Sequence, residues 1–209
     1  MKQLKTIEFK KKLAQGSIVV DTRDATDFTE GFIPGSIFIG HEGNMEDWAT
    51  ILLSKDKSII LVTSEGKDNE VAEKFSQNGY NKIDGILEGG FESWKNAGEK
   101  IDLVIDIEPD ELAMDIPFDN NLTILDVRSF EEYSKSHVKD AINLPLSEMT
   151  DVAQIADFEE HQNLYIYSEN GYRSVIAASL LKKEGYYSVR NIQGGFEKIK
   201  HEKSIHLEK

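Results

Sequence analysis

The amino-acid sequence contains one unit written twice, and this repeat constrains the fold more than any other feature. A repeat at a single register means that both halves encode the same set of strands and helices. The chain is therefore expected to form two copies of one domain-sized module. Three blocks match at the same separation of 105 residues: 19–23 (VVDTR) with 124–128 (ILDVR), 60–66 (ILVTSEG) with 165–171 (YIYSENG), and 87–91 (LEGGF) with 192–196 (IQGGF).

The length of the chain supports one domain for each copy. Its 209 residues allow two domains of about 100 residues each. We predict a first domain over residues 1–101 and a second over residues 110–200, with an acidic, glycine-free junction at 102–109. The tail after Lys198 is rich in Lys, His and Glu and is expected to fray.

Short apolar runs alternate with helix-forming segments in each copy. Such runs form parallel strands that are buried on both faces, so the alternation predicts an α/β fold. We expect two doubly wound domains, each a central, mostly parallel sheet flanked by helices. Ser129 and Glu132 have the spacing of a capping box and predict that a helix starts there. The predicted strands span residues 18–21, 36–39, 59–63 and 82–86 in the first copy, and 123–126, 141–143, 165–168 and 188–191 in the second.

Charge and cysteine content exclude several classes of function. The formal charge of −14 repels phosphate backbones and anionic lipids, so we expect neither nucleic acid nor a membrane as a partner. No apolar run approaches the roughly 20 residues of a membrane span, and no signal-peptide pattern follows Met1, so we expect a cytoplasmic protein. The sequence has no cysteine and therefore offers no thiolate as a nucleophile or metal ligand.

Residues 164–174 (LYIYSENGYRS) are the strongest candidate for a functional site. An alternating apolar strand leads into a short polar loop, and an Ala- and Leu-rich helix follows. Backbone N–H groups and the helix dipole converge at such a loop, which makes it a generic anion-binding device. Ser168 occupies the first position of this loop, where a reactive thiol would be expected.

Several motifs resemble the rhodanese (sulfurtransferase) family across nearly the whole chain. The chain is most similar to the tandem rhodanese half of metallo-β-lactamase/rhodanese fusion proteins, a group that includes persulfide dioxygenases. A metallo-β-lactamase-type domain is therefore an expected partner, and no histidine of this chain has the His-x-His zinc spacing that such a domain would bring. The motifs are DTR at 21–23, DVR at 126–128, GFIPGS at 31–36, the loop before a helix, and GGFESW at 89–94.

The resemblance implies a site for a small sulfur-containing anion or a persulfide, with no metal and no cofactor. The family's catalytic residue is a cysteine that carries sulfur as a persulfide; its position is held by Ser168 in the second copy and by Thr63 in the first. The family's loop arginine corresponds to Arg173 and to Asp68. The implied anion-binding residues of the second loop are Glu169, Asn170, Gly171, Tyr172, Arg173 and Ser174. The degenerate first loop comprises Thr63, Ser64, Glu65, Gly66, Lys67 and Asp68.

The two loops differ in the charge of their side chains. Glu65, Asp68 and Glu70 crowd the first loop, so an incoming anion would be repelled and the loop is interpreted as structural. In the second loop, Arg173 lies at the helix start and can offer a forked donor to an anion. Glu169 opposes Arg173, and the second loop is still expected to be the more cationic of the two.

Three further residues are predicted to support the second loop. Asp126 and Arg128 at a strand end are expected to pair and to anchor loops. His137 stands where the family commonly has a histidine before its Ile-Pro-Gly motif, and it is expected to hydrogen bond within a turn. At the corresponding position the first copy has Phe32.

Three functions stay open. The first is a relative of the thiosulfate and persulfide sulfurtransferases. A hydroxyl cannot carry a persulfide, so this sequence is expected to be catalytically incompetent, whether Ser168 is natural or replaces a cysteine. The alternative is a non-catalytic module that binds an anion or a partner protein. A phosphatase is less favoured, because residues 168–173 form a six-residue loop and the related phosphatases have a longer one.

Overall fold

A computed structural model describes residues 1–150, 158–159 and 162–209 of the chain. It divides into two units, Met1–Leu103 and Val104–Lys209. Each unit contains a five-stranded sheet whose neighbouring strands are all parallel, with helices along the connections. The predicted α/β class, with parallel sheets flanked by helices, is confirmed. Over the described part of the chain, no helix combines the length and apolar character that crossing a membrane requires.

The first unit has the strand order β1-β5-β4-β2-β3. Its central strand β4 is buried at every position, as expected for a sheet covered on both faces. The elements are β1 (Gln3–Leu4), α1 (Thr6–Ala14), β2 (Ile18–Asp21), α2 (Ala25–Glu30), β3 (Ile37–Phe38), α3 (Met45–Leu52), β4 (Ile59–Val62), α4 (Asp68–Gln77), β5 (Ile83–Leu87) and α5 (Gly90–Asn96).

The second unit repeats this topology with the order β6-β11-β10-β7-β9. Ser129 is the N-cap of helix α7, and the predicted capping box with Glu132 is present. The described elements are β6 (Ile105–Ile107), α6 (Pro109–Asp115), β7 (Leu122–Asp126), α7 (Phe130–Lys135), β8 (His137–Val138), β9 (Ile142–Asn143), a 3₁₀ turn (Leu146–Glu148), β10 (Asn163–Tyr167), α8 (Tyr172–Lys183), β11 (Val189–Ile192), α9 (Gly195–Ile199) and β12 (Leu207–Glu208).

The predicted junction at 102–109 contains a strand of the second sheet. β6 pairs in parallel with β11, and Ile107 lies opposite Ile192. In the first unit, Leu4 lies opposite Leu87 in the same way. These edge strands are therefore related by 103 residues rather than 105, so a search at the single register of 105 passed over them.

The prediction of a frayed tail is wrong. β12 pairs antiparallel with β8, and Leu207 lies opposite Val138. Ile205 is 5% exposed and belongs to the apolar core of the second unit. The tail therefore contributes to folding because it offers one buried aliphatic side chain and a two-residue strand, although its composition is mostly polar.

Two buried tyrosines lie on the central strand of the second unit. Tyr165 and Tyr167 on β10 are almost completely buried, and buried hydroxyls need hydrogen-bond partners. The Tyr165 hydroxyl donates to Asp115 at 2.7 Å, and the Tyr167 hydroxyl accepts the Val138 N–H at 3.2 Å. Burial raises the pKa of Tyr167 well above its ordinary value. These bonds fix the strand that leads directly to Ser168.

Candidate functional site

The second loop lies between the end of β10 and the start of α8. Ser168 follows β10 directly and its side chain is fully buried. Gly171 adopts φ +99° at the N-cap of α8, a conformation that favours glycine. The Gly171 N–H donates to Ser168 Oγ at 3.1 Å. The side chain at position 168 therefore receives a backbone donor at the N-terminus of a twelve-residue helix, as an anionic atom there would require.

A buried polar network holds the start of α8 against the sheet. The Ser174 hydroxyl lies 2.6 Å from Asn191 Oδ1 and 2.8 Å from the Gly171 carbonyl oxygen. It is also 3.4 Å from Ser168 Oγ. Asn191 in turn donates to Asp106 at 2.7 Å. Ser174 was predicted from the loop motif, whereas Asn191 and Asp106 come from two other strands, β11 and β6, and nothing local in the sequence identified them.

The Arg173 guanidinium is engaged by a carboxylate of the same unit. Its two terminal nitrogens donate to the two oxygens of Glu132 at 2.8 and 2.5 Å. The hydrogen bond from Arg173 lowers the pKa of Glu132 to about 2. The sequence suggested a forked donor for an external anion, and the structure shows this fork occupied by Glu132. An anion that binds Arg173 must therefore compete with an intramolecular bidentate pair.

Arg128 is a buried anchor. It forms a bidentate ion pair with Asp126, with contacts of 2.7 to 3.1 Å, and donates to the Ser136 carbonyl oxygen at 2.7 Å. Its guanidinium lies 3.9 Å from the centre of the Phe196 ring. Burial lowers the pKa of Arg128, but the bonds from Asp126 outweigh it and the net pKa is raised. These contacts join the end of β7 to Ser136, directly after α7, and to Phe196 of α9; the loop-anchoring role stays a prediction.

The same anchor occurs in the first unit. Arg23 pairs with Asp21 at 2.7 Å, donates to the Gly31 carbonyl oxygen at 2.7 Å, and lies 4.2 Å from the Phe91 ring centre. The Nη1 groups have different partners in the two units, because Arg23 donates to the Asp27 carbonyl oxygen at 3.3 Å whereas Arg128 donates to the Glu169 carboxylate at 3.1 Å. Glu169 is thus paired with Arg128, so its charge opposes an incoming anion less than the sequence suggested.

The N-terminal end of α9 holds the second loop by backbone hydrogen bonds. The Ser168 carbonyl oxygen accepts the Phe196 N–H at 2.7 Å, and the Glu169 carbonyl oxygen accepts the Glu197 N–H at 2.9 Å. A Cβ atom on Gly195 would lie 2.2 Å from the Ser168 carbonyl oxygen, and Gly195 has φ +58°. Only glycine allows this approach without displacing the loop. The backbone that directly follows the Ser168 side chain is therefore fixed by α9.

His137 makes its contacts with helix α7. Its ring stacks on Tyr133 with centroids 3.7 Å apart, and its Nδ1 lies 3.0 Å from the Tyr133 carbonyl oxygen. Both interactions are made with the residue four positions earlier in the chain. These contacts fit the turn-anchoring role expected from the sequence.

The first loop is closed by its own carboxylate. Thr63 Oγ1 donates to Asp68 Oδ1 at 2.5 Å, and Gln3 Nε2 donates to Asp68 Oδ2 at 2.6 Å. Asp68 stands at the position equivalent to Arg173, so it occupies the space opposite Thr63 with negative charge. Glu70, which was expected to crowd this loop, is instead paired with Lys67 at 2.9 Å and Lys74 at 3.3 Å.

A pocket of about 720 Å³ lies beside this first loop. Its walls come from the loop itself, from the end of α2 and from the start of α5. From the sequence we interpreted the first loop as structural, and we predicted no cavity there.

In a separate part of the first unit, a ring nitrogen of His41 and carboxylate oxygens of Asp24 and Glu42 lie within 4.8 Å of one another. Both carboxylate residues are solvent-exposed, and no metal was expected from the sequence.

Comparison with known proteins identifies the family. Residues 6–97 and 108–202 each match the rhodanese-like domain. These two segments cover most of the chain, so the chain belongs to the rhodanese-like family and carries two such domains.

Its relatives include sulfur-handling proteins. The chain is 33% identical over 110 residues to "Putative sulfur carrier protein YrkF" of Bacillus subtilis, covering 53% of this chain and 56% of that protein. It is 34% identical over 70 residues to the thiosulfate sulfurtransferase PspE of Escherichia coli, covering 34% of this chain and 67% of that protein. The match therefore spans little more than half the length of YrkF.

Two solved structures are among those similar to this chain. The crystal structure of a thiosulfate sulfurtransferase from Pseudomonas aeruginosa is 17% identical, covers 100% of this chain and 43% of that chain, and gives a TM-score of 0.44. A rhodanese-like domain protein from Staphylococcus aureus is 21% identical, covers 51% of this chain and 100% of that chain, and also gives a TM-score of 0.44.

Proposed function

We propose that the second unit is a sulfurtransferase site for a small sulfur-containing anion or a persulfide, and that Ser168 makes it catalytically incompetent. The observation that carries this proposal is the environment of Ser168. Its buried Oγ accepts the Gly171 N–H at 3.1 Å at the N-terminus of α8. Such a position stabilises a thiolate, because a backbone donor and the helix dipole both favour negative charge on the sulfur.

The chemistry requires a sulfur atom that the chain does not supply. In sulfur transfer from thiosulfate, a thiolate attacks the outer sulfur, a new S–S bond forms, and sulfite leaves with the electron pair of the broken bond. A second nucleophile such as cyanide or a thiol then takes the outer sulfur and releases the thiolate. A serine hydroxyl is far less acidic and cannot form the persulfide intermediate. The chain has no cysteine, so it has no residue that can carry the transferred sulfur atom through this cycle.

A gain-of-function substitution tests this proposal. Ser168→Cys should produce cyanide- or thiol-dependent release of sulfur from thiosulfate or from glutathione persulfide, whereas the unaltered protein should produce none. The repeat supplies a matched control, because Thr63→Cys places a thiol at the equivalent position of the first unit. There Asp68 lies 2.5 Å from the side chain and opposes thiolate formation, so this variant should stay inactive. Activity of neither or of both variants would contradict the proposal.

A non-catalytic anion- or partner-binding module is the second candidate, and the absence of a thiol at position 168 favours it over turnover. The Glu132–Arg173 pair sets a condition on it, because an anion gains the Arg173 fork only by displacing Glu132. Calorimetric titration with thiosulfate, sulfite and phosphate tests the idea. The proposal expects weak binding that Arg173→Ala removes; silence for all three anions would end it. A metallo-β-lactamase-type partner domain stays a prediction from the resemblance alone, and a phosphatase activity stays the less favoured alternative.

A further inference from the structure

Two guanidinium groups lie at the second loop, and each is bound by carboxylates of the same unit. Arg173 donates from both terminal nitrogens to Glu132, at 2.8 and 2.5 Å. Arg128 forms an ion pair with Asp126 and also donates to Glu169 at 3.1 Å. Glu169 shares its guanidinium with another carboxylate, so part of its negative charge stays uncancelled. This group of ion pairs therefore leaves an excess of negative charge beside the loop.

The carboxylate of Glu132 is ionised near neutral pH and is held in place. The hydrogen bond from Arg173 lowers the pKa of Glu132 to about 2. The backbone N–H of Ser129 donates to the same carboxylate at 2.9 Å. Both side chains of the Glu132–Arg173 pair are partly buried, so solvent ions screen it less than an exposed pair. A sulfur donor that enters the loop therefore meets an ion pair and not an open guanidinium.

Two backbone N–H groups at the start of α8 are also engaged within the loop. The Gly171 N–H donates to Ser168 Oγ at 3.1 Å, and the Tyr172 N–H donates to Asn170 Oδ1 at 3.2 Å. The first donor serves the side-chain atom at position 168 itself. Sulfonate oxygens of a bound donor need hydrogen bonds of their own, and bonds to charged oxygens are the strong ones. These two backbone donors do not supply them.

We propose that Glu132 and Glu169 determine the specificity of the second-unit site, and that they favour sulfur donors with a single negative charge over the thiosulfate dianion. This inference rests on the proposed sulfurtransferase function. The favoured class is an organic compound with a terminal sulfane sulfur, such as a thiosulfonate or a persulfide anion. Thiosulfate has a charged oxygen in place of the organic group, and this second charge is repelled by the excess negative charge beside the loop. Thiosulfate still reacts, but at a disadvantage.

Methanethiosulfonate and thiosulfate form a matched pair of donors. They differ in one group, a methyl in place of a charged oxygen, and therefore by one negative charge. In the Ser168→Cys protein, the thiolate attacks the outer sulfur of either donor and a new S–S bond forms. The bond to the inner sulfur breaks, and methanesulfinate or sulfite leaves with its electron pair. Cyanide then takes the outer sulfur as thiocyanate and releases the thiolate, so both donors pass through the same steps.

The test compares kcat/KM for thiosulfate with kcat/KM for methanethiosulfonate in the Ser168→Cys protein at low ionic strength. Adding Glu132→Gln removes one negative charge and leaves Arg173 without its charged partner. The ratio of the thiosulfate value to the methanethiosulfonate value should then rise roughly tenfold, and high salt should reduce this rise. A merely structural disturbance would lower both values together and would leave the ratio unchanged. Glu169→Gln should shift the ratio in the same direction.

Glu131→Gln in the same Ser168→Cys protein is the matched control. It removes a carboxylate from the adjacent position of α7, where the side chain is 83% exposed and pairs with Lys135 at 3.0 Å, so the ratio should not change. Circular dichroism confirms the folding of each variant, and Glu169→Gln serves as the test if the Glu132 variant does not fold.

The possible failures of this inference and of the proposed function are distinguishable. If the Ser168→Cys protein turns over both donors but the ratio does not rise in the folded Glu132 and Glu169 variants, the inference is overturned and the proposed function stands. An equal rise in the Glu131 control overturns the inference in the same way. If the Ser168→Cys protein turns over neither donor, the proposed function fails and the inference fails with it.

Discussion

Replacing Glu132 by glutamine tests the ion pair that holds the second loop. Glutamine keeps the capping geometry at the start of α7 but removes the charge opposite Arg173. The pKa of Glu132 falls from 4.5 to about 2 in the folded protein, which corresponds to ~3 kcal/mol in the absence of solvent screening. The side chains of Arg173 and Glu132 are 22% and 30% exposed. Screening should reduce the contribution to about 1–2 kcal/mol.

The loss of stability in Glu132→Gln should become smaller as the pH falls. The pKa of Glu132 is lower in the folded than in the unfolded chain, so the pair stabilises the fold fully above about pH 4.5. The contribution is lost as the pH falls toward 2. The free-energy difference between the unaltered protein and Glu132→Gln should therefore be largest at neutral pH and shrink through this window.

Urea unfolding with two probes measures the effect. Both tryptophans, Trp48 and Trp94, lie in the first unit, so their fluorescence reports that unit while circular dichroism also reports the second. The circular dichroism midpoint of the second-unit transition should fall by roughly 0.5–1 M urea, and the fluorescence midpoint should not change. Glu131→Gln is the control, because its side chain is 83% exposed. An unchanged second-unit midpoint, or an equal loss in the control, would refute the reasoning.

Three further substitutions test the packing around the site. Gly195→Ala puts a Cβ atom 2.2 Å from the Ser168 carbonyl oxygen and should lower the free energy of unfolding by about 2–4 kcal/mol. In Gly90→Ala the nearest atom to the new Cβ is 3.4 Å away, so the loss should be about 1–2 kcal/mol. Equal losses of stability in thermal unfolding would contradict this. Asp126→Asn leaves the Arg128 charge buried and should cost about 3–5 kcal/mol by denaturant titration; a loss near zero would exclude the anchoring role. Ile205→Ala should cost about 2–4 kcal/mol, and exposed Leu207→Ala under 1 kcal/mol; a frayed tail would make both neutral.

Local sequence signals predicted the central elements of the fold well. β2 has the predicted bounds, because an apolar run of strand length is encoded locally. The short edge strands β1 and β6 contain two and three residues, which is too little for a periodic pattern. Their pairing with β5 and β11 decides that they are strands, and this information is not local.

The candidate site was likewise predicted only where the sequence signal is local. The position of Ser168 at the end of β10 and before α8 followed from the loop motif. The partner of Arg173 did not, because Glu132 lies 41 residues earlier in the chain and had been assigned only a capping role. Asn191 was missed for the same reason, since it reaches Ser174 from a neighbouring strand.

We propose that position 168 retains an environment for sulfur transfer and lacks only the sulfur atom. Intact-mass spectrometry tests it most directly, with Ser168→Cys and Thr63→Cys each incubated with thiosulfate and then freed of excess reagent. We expect the Ser168→Cys protein to gain the mass of one sulfur atom and to lose it again on treatment with cyanide. The Thr63→Cys protein should gain no sulfur. If the Ser168→Cys protein gains no sulfur, or if both variants gain it equally, the claim is contradicted.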